Sequence, residues 1–210
     1  MKMRWFLLVS GFSVAVAFFG GSASSQTVVT FDDIAIPATN DSIRMTNGYQ
    51  GLVWSNFFAL NVASEIRMFG VTNGYFYGMV SPSNVALNAS GNPAEIDSTG
   101  TNFNFLSAYL TGAWNSNLNI QVDGFNGSTL SYATTVVANA TSPTLFTFNY
   151  MNIDRLYFSS SGGQPVGWFG EGENFAMDNL TFEFIPEPSS LLLTSLGLLS
   201  LWAVAKRRWR

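Results

Sequence analysis

Residues 118–138 constrain the fold of this chain most strongly. Apolar and polar residues alternate at the start of this stretch, where Leu118, Ile120 and Val122 stand next to Asn119, Gln121 and Asp123. Such alternation is typical of a half-buried strand, because successive side chains of a strand point to opposite faces. Asn126-Gly127 separates this run from a second extended run at 129–138, and Asn-Gly is a preferred turn sequence. The sequence therefore predicts an antiparallel hairpin here.

Short runs rich in Val, Phe and Thr recur between residues 26 and 184, separated by Gly, Pro and Asn. No convincing amphipathic helix is visible among them. The pattern predicts one all-β domain at 26–184, an antiparallel two-sheet sandwich. A jelly roll is favoured because the first and last strands both look core-forming, and another strand order is the alternative. The further predicted strands are 27–34, 51–60, 84–88, 94–97, 103–110, 144–150, 153–159 and 175–184.

Charge and residue usage exclude several functions. Residues 26–185 contain only Arg44, Arg67 and Arg155 against twelve acidic residues, a net charge of −9. A domain this acidic is not expected to bind nucleic acid or an anionic membrane surface. The chain has no His and no Cys, which excludes Ser-His-Asp and Cys-His nucleophiles, imidazole or thiolate metal sites, and disulfides.

The first 25 residues predict a signal peptide. Lys2 and Arg4 precede an apolar run at 6–19, and small residues at 23–25 suit cleavage by signal peptidase. An uncleaved N-terminal anchor is the alternative.

The C-terminal residues 185–210 combine three parts: a proline-rich hinge, an uncharged run and a basic end. The prolines fix φ and remove backbone donors, so no helix runs through the hinge. The uncharged run, 191–205, has 15 residues, and as a helix it would cover roughly 22 Å, near the lower limit of a membrane span. The hinge is Pro186, Glu187 and Pro188, and the basic end holds Lys206, Arg207, Arg208 and Arg210.

This order of Pro-Glu-Pro, short apolar helix and basic cluster resembles the PEP-CTERM sorting signal of Gram-negative, exopolysaccharide-producing bacteria. The resemblance implies recognition by exosortase, a membrane protease that cuts near the Pro-Glu-Pro and passes the protein to the outer surface or extracellular matrix. The inner membrane would then hold the protein only transiently. An ordinary C-terminal membrane anchor is the alternative.

Residues 26–184 also resemble, more loosely, secreted jelly-roll modules that are similar to carbohydrate-binding modules with a structural calcium. The motifs are Phe31-Asp32-Asp33 in the opening strand, Asp178-Asn179-Leu180 in the closing strand, and the segments 51–57 and 109–114. If the terminal strands are neighbours, the carboxylates of Asp32, Asp33 and Asp178 would supply the oxygen ligands that Ca²⁺ prefers. Turn or cap roles for these aspartates are the alternative.

Aromatic side chains are the candidates for binding a sugar, because flat rings stack on the apolar faces of pyranoses. The segments 75–77 and 167–170 sit among glycines and are predicted to lie on loops. Filling the core is the alternative role for each ring. The predicted ligand-binding residues are Trp54, Tyr75, Tyr77, Trp114 and Trp168.

The sequence predicts a protein that is not an enzyme. The remaining catalytic chemistry is a carboxylate pair, as in glycoside hydrolysis, and nothing in the sequence brings two of the candidates Glu65, Glu95, Glu171 and Glu173 together. We expect an exported structural or carbohydrate-binding component of an exopolysaccharide or biofilm matrix. A matrix protein without a sugar site and a small secreted glycan hydrolase are the alternatives.

Overall fold

The computed structural model describes residues 25–70, 72–186, 197–200, 202 and 206. Residues 25–70 and 72–186 form strands, two short α-helices and two single-turn 3-10 helices, Tyr49–Gly51 and Ala89–Gly91, and residues 197–200 are helical. The strands are β1 (Gln26–Val29), β2 (Ser42–Arg44), β3 (Leu52–Ser55), β4 (Phe57–Asn61), β5 (Asn84–Asn88), β6 (Ala94–Ser98), β7 (Phe103–Gly112), β8 (Asn115–Ser116), β9 (Leu118–Asn126), β10 (Thr129–Ala138), β11 (Thr144–Ile153), β12 (Arg155–Ser161), β13 (Gln164–Pro165) and β14 (Phe175–Phe184), and the helices are α1 (Val62–Phe69) and α2 (Gly74–Gly78).

Two antiparallel sheets form a sandwich. Sheet A has the order β11-β7-β14-β5-β4-β2, with β1 also paired to β14, and sheet B has the order β10-β9-β12-β6-β3. This arrangement confirms the predicted all-β sandwich. β1 runs antiparallel to β14 with Gln26 opposite Glu183 and Val29 opposite Leu180, so the terminal strands are neighbours, as the jelly-roll prediction requires.

Aromatic rings from both sheets fill the space between them. Trp54 of β3 meets Phe57 of β4 edge-on with 5.5 Å between ring centroids, and Phe57 meets Phe158 of β12 at 5.7 Å. These rings are almost completely buried. Their burial is the main source of stability in a chain that has no disulfide.

The predicted hairpin is present as β9 and β10, and its two-residue turn lies one position later than expected. Asn126 is the last residue of β9 and pairs with Thr129, so Gly127 and Ser128 form the turn. Gly127 has a φ of 58°, and its N–H donates to the Asp154 carboxylate at 2.6 Å. The positive φ and this hydrogen bond place the turn at Gly127.

The single strand predicted at 51–60 is two strands in different sheets. Asn56, with a φ of 58°, separates β3 in sheet B from β4 in sheet A. Its side-chain amide donates to the carbonyl oxygens of Pro93 at 2.9 Å and Ala89 at 3.2 Å. Asparagine tolerates the left-handed conformation better than most residues, so it forms the corner at which the chain crosses between the sheets.

The first predicted strand ends early, and the expectation of no amphipathic helix is wrong. Strand β1 stops at Val29, and Phe31 turns the chain with a φ of 64°. Helix α1 is capped at its start by Asn61, whose side chain accepts the N–H of Ser64 at 3.0 Å, and at its end by Gly70, which has a φ of 71°. With eight residues α1 is too short to show a clear helical period, so its caps decide its position.

Only part of the predicted sorting signal lies within the described residues. Pro186 is exposed and follows Ile185, whose N–H donates to the Asn102 carbonyl oxygen at 2.9 Å. The Lys206 ammonium lies 4.9 Å from the centre of the Trp202 ring. No helix within the described part of the chain has the length and apolar character needed to cross a membrane. The predictions for residues 1–24, Glu187, Pro188, Arg207, Arg208 and Arg210 lie outside the described residues.

Candidate functional site

Sheet A is apolar on both faces where β4 and β5 lie side by side. Ala59 and Ala86 face the core between the sheets, whereas their neighbours Leu60, Val85 and Leu87 belong to a second apolar cluster on the outer face. Helices α1 and α2 contribute Val62 and Tyr75 to the same cluster. The two helices therefore cover an outer face that would otherwise be exposed apolar surface.

Asn73 connects the two helices. Its side-chain oxygen accepts the N–H groups of Tyr75 at 3.1 Å and Phe76 at 3.3 Å, and its amide donates to Glu65 Oε1 at 2.9 Å. Because this cap starts α2, residues 75–77 are helical, and the loop predicted for them is wrong. A Cβ on Gly74 would lie 1.9 Å from the Gly112 carbonyl oxygen, so only glycine allows α2 to lie this close to the end of β7.

A pocket of about 290 Å³ lies beside these helices. Its walls combine four aromatic rings with two aliphatic side chains, and a hydroxyl and two carboxylates supply its polar groups. Tyr75 and Trp114 meet edge to face in the wall, with 5.5 Å between ring centroids. The pocket is lined by Asp41, Ser42, Leu60, Glu65, Phe69, Tyr75, Leu87, Trp114 and Phe169.

Residues 166–172 hold Trp114 in the pocket wall. The Val166 N–H donates to the Trp114 carbonyl oxygen at 3.1 Å. A Cβ on Gly170 would lie 2.5 Å from the Trp114 ring, so the loop passes directly against the indole. Phe169, which precedes this glycine, is 78% exposed and lines the pocket from the same loop.

A second group of rings, the aromatic patch, consists of Phe76, Tyr77, Trp168 and Phe169. Tyr77 and Trp168 stack face to face with 5.6 Å between centroids and 15° between planes, and Phe76 meets Tyr77 edge to face. All four rings retain exposed surface. Phe169 lines the pocket and directly follows Trp168 in the chain, so one loop contributes rings to both the pocket and the patch.

Glu65 dominates the electrostatics of the pocket. Its side chain is only 5% exposed, and burial raises its pKa to about 7, with the nearby Asp41 charge acting in the same direction and the Asn73 amide against it. Burial also raises the pKa of Tyr75, and the charges of Glu65 and Asp41 add to this effect. The described residues that line the pocket include no basic side chain.

Replacing Glu65 with glutamine is expected to flatten the pH dependence of stability. Because the folded pKa is about 7 and the ordinary value is 4.5, the folded protein keeps a proton between these pH values that the unfolded chain has released. The free energy of unfolding therefore falls as the pH rises through this window, by up to about 3 kcal/mol. Urea unfolding at about pH 5 and about pH 8 measures the slope.

The exposed Glu171 provides the control, and Glu171→Gln should give the same slope as the wild type. Equal slopes for the wild type and Glu65→Gln would contradict the assignment of this proton to Glu65.

The structure brings together four of the five aromatic residues predicted to bind a ligand. Tyr75 and Trp114 line the pocket, and Tyr77 and Trp168 form the stacked pair of the patch. Trp54 lies in the core with 1% of its surface exposed, which is the alternative role considered for each ring.

Several residues that line the pocket were not predicted from the sequence. Phe69 and Phe169 add two rings to the pocket, and Asp41 and Ser42 add polar groups from the segment that begins β2. The glycines around Phe169 were a usable signal for an exposed loop. Nothing in the sequence relates Asp41 to Glu65, because the two residues meet only after β2 pairs with β4.

The four carboxylates considered for catalysis lie in different environments. Glu65 lines the pocket, and Glu95 lies 3.5 Å from Arg155 on sheet B. Glu171 is exposed, and Glu173 accepts a backbone N–H in the loop that follows β12. Among the four, only Glu65 lines the pocket. The second carboxylate there belongs to Asp41, which was not among the predicted candidates.

Asp178 and Asp32 hold the two ends of the segment 80–84. Asp178 Oδ2 accepts the N–H groups of Val80 at 2.7 Å and Ser81 at 2.8 Å, and its Oδ1 accepts the N–H of Asn179 at 2.7 Å. Asp32 accepts the N–H of Asn84 at 2.9 Å. Asp178 is completely buried, and desolvation raises its pKa to about 6 despite these hydrogen bonds.

Calcium binding by Asp32, Asp33 and Asp178 stays a prediction. Asp33 accepts the Tyr49 hydroxyl at 2.6 Å, and the Asp178 carboxylate also accepts the Ser81 hydroxyl. With four protein donors, Asp178 has little acceptor capacity left for a metal. In the described part of the chain, no three Asp or Glu side chains are grouped so that they could hold a metal ion.

The fold and the pocket define an antiparallel β-sandwich with a pocket of aromatic rings and carboxylates on the outer face of one sheet. No protein-family model and no curated protein matches the chain.

Solved structures that match this chain include a DUF4465 family protein from Bacteroides ovatus, with a TM-score of 0.47, 11% identity, and coverage of 77% of this chain and 100% of that chain. A family two carbohydrate esterase from Cellvibrio japonicus has a TM-score of 0.37 and 14% identity, covering 79% of this chain and 36% of the esterase. TmCBM61, in complex with beta-1,4-galactotriose, has a TM-score of 0.37 and 7% identity, covering 69% of this chain and 97% of that chain.

Proposed function

We propose that the protein is a non-enzymatic, carbohydrate-binding component of an extracellular or surface matrix, and that it binds glycan at the pocket and the aromatic patch. The observation that carries this proposal is the combination of rings with carboxylate and hydroxyl groups in one pocket. A sugar ring presents C–H groups that stack on aromatic faces and hydroxyls that donate to carboxylates. Both kinds of partner are present within the same pocket.

The size of the site supports a short glycan segment. A volume of about 290 Å³ is near the lower end of small-molecule pockets, so the pocket suits the end or one unit of a glycan. The stacked rings of Tyr77 and Trp168 would support the neighbouring units. The net charge of −9 between residues 26 and 185 favours neutral or cationic glycans over acidic ones.

Phe169→Ala is expected to weaken glycan binding about ten-fold, which corresponds to about 1.4 kcal/mol. Phe169 is the most suitable ring for this test, because its exposure means that its removal costs little stability. A glycan array of the purified protein identifies the ligand, and titration calorimetry then measures the affinity of the variant. Leu145→Ala on β11, with 49% of Leu145 exposed, is the control. Unchanged affinity in Phe169→Ala would contradict the site.

Export and sorting complete the proposal. The signal peptide and the Pro-Glu-Pro sorting signal would deliver the domain through signal peptidase and exosortase, and the mass of the protein from culture supernatant reports both cleavages. A protein that binds no glycan in the array would be the purely structural alternative.

The hydrolase alternative has one observation in its favour, because Asp41 and Glu65 line the same pocket. Release of product from the bound glycan, lost in Glu65→Gln, would identify that activity.

A further inference from the structure

The carboxylates of the pocket are not neutralised by a basic side chain. Asp41 accepts the Ser42 hydroxyl at 3.1 Å, and Glu65 accepts the Asn73 amide at 2.9 Å, and all of these donors are uncharged. Each carboxylate has more than one lone pair available, so both can accept further hydrogen bonds. Asp41 and Glu65 also interact with each other, and together with burial this interaction favours a proton on Glu65. A positively charged ligand could take the place of this proton between the two carboxylates.

Arg67 is the basic residue of α1, and it makes its contacts elsewhere. Its Nη2 donates to the Ala38 carbonyl oxygen at 2.9 Å and to the Ser64 hydroxyl at 3.1 Å, and the side chain does not line the pocket. The charged and titratable groups around the pocket are Asp41 before β2, Arg44 on β2, Glu65 and Arg67 on α1, Tyr75 on α2, and the exposed Glu171 after Phe169. The two cations among them, Arg44 and Arg67, do not line the pocket.

The aromatic walls favour a cation for a second reason. The faces of Phe69, Tyr75, Trp114 and Phe169 carry the negative part of the ring quadrupole, which attracts ammonium groups. The hydroxyls of a neutral sugar can donate to the two carboxylates, but they do not offset the negative charge of the pocket. A protonated amine has three donors and one charge, and it would use both the carboxylates and the rings.

We propose that the pocket binds the protonated amine of an amino sugar, in a glycan whose amino groups are free rather than acetylated. This inference rests on the proposed carbohydrate-binding function and names the class of sugar. Acetylation would remove the charge and add bulk to the nitrogen. A uronic acid would be repelled by Asp41 and Glu65.

Titration calorimetry at about pH 7 with three tetramers of the same linkage tests the inference: β-1,4-linked glucosamine, its fully N-acetylated counterpart, and glucose. We expect the glucosamine tetramer to bind at least about ten-fold more tightly than the other two. Its ammonium group would form charge-assisted hydrogen bonds with the carboxylates and cation–π contacts with the rings. The preference should shrink as salt is added, because it is electrostatic. It should also be lost in Glu65→Gln and in Asp41→Asn, while Asp123→Asn on sheet B leaves it unchanged.

The results separate this inference from the proposed function. If the glucose and glucosamine tetramers bind equally at the pocket, the amine preference is overturned and the carbohydrate site stands. If no tetramer binds and the glycan array is also empty, both are overturned. Lysine amide serves as an amine without a sugar ring, and binding as tight as that of the glucosamine tetramer would overturn the sugar assignment. The melting temperatures of Glu65→Gln and Asp41→Asn are measured as well, so that a loss of binding can be distinguished from a loss of folding.

Discussion

Trp54→Ala is expected to lower the free energy of unfolding by about 4 kcal/mol. The Trp54 ring is 1% exposed, and it meets Phe31 and Phe57 edge to face at 5.9 Å and 5.5 Å. Its Nε1 donates to the Tyr49 carbonyl oxygen at 3.0 Å, so the indole is held by both packing and a hydrogen bond. Removal leaves a cavity between β3 and β4, where the chain crosses from one sheet to the other.

Two variants control for this loss. Trp54→Phe keeps most of the packing and loses the hydrogen bond, so we expect a loss of about 1–2 kcal/mol. Trp168→Ala removes a partly exposed ring of the aromatic patch, and it should cost about 1 kcal/mol or less. Urea unfolding followed by far-ultraviolet circular dichroism gives all three values. Equal losses for Trp54→Ala and Trp168→Ala would contradict the core role of Trp54.

Asp178→Ala is expected to destabilise the protein by a similar amount, about 4 kcal/mol. The substitution leaves three partly buried backbone N–H groups, those of Val80, Ser81 and Asn179, without their acceptor. Each unsatisfied buried donor costs about 1–3 kcal/mol. The segment 80–84 would then be held only at its Asp32 end, and it leads directly into β5.

Asp123→Ala is the matched control, because Asp123 on β9 is partly exposed and accepts one side-chain hydrogen bond from Gln121. We expect it to cost less than about 1 kcal/mol. Urea unfolding gives the losses for both variants, and thermal melting of the wild type and Asp178→Ala tests the calcium prediction. A rise in melting temperature with millimolar calcium that disappears in Asp178→Ala would support a metal role, and no shift in the wild type would contradict it. A loss in Asp178→Ala no larger than that of Asp123→Ala would contradict the anchoring role.

Local patterns predicted the bounds of some strands correctly. Strand β14 has the predicted bounds, 175–184, and β5 has the predicted bounds, 84–88. The prediction failed at Asn56, where the chain changes sheet and only two polar residues, Ser55 and Asn56, interrupt the apolar run. It failed again at α1 and α2, whose positions depend on caps and on a cover for the outer face of sheet A.

The sequence predicted most of the aromatic residues of the candidate site, but not which residues meet there. The glycine-flanked rings of Tyr77 and Trp168 were recognised as candidates for an exposed surface, and the two now form a stacked pair. Asp41 could not be connected with Glu65, because the connection requires α1 to lie beside the end of β2. Trp54 could not be distinguished from Trp114 by residue type, since only the packing between the sheets buries one and leaves the other at a pocket.

The order of amino acids alone was sufficient to determine strand periodicity, the excess of acidic residues, and the exclusion of histidine and cysteine chemistry, because these depend on neighbouring residues or on simple counts. Tertiary structure decided which rings are buried, which carboxylates meet, and that Asp178 is enclosed by backbone donors. Those properties depend on contacts between residues that are far apart in the chain, and the chain makes them only when its two sheets and two helices pack together.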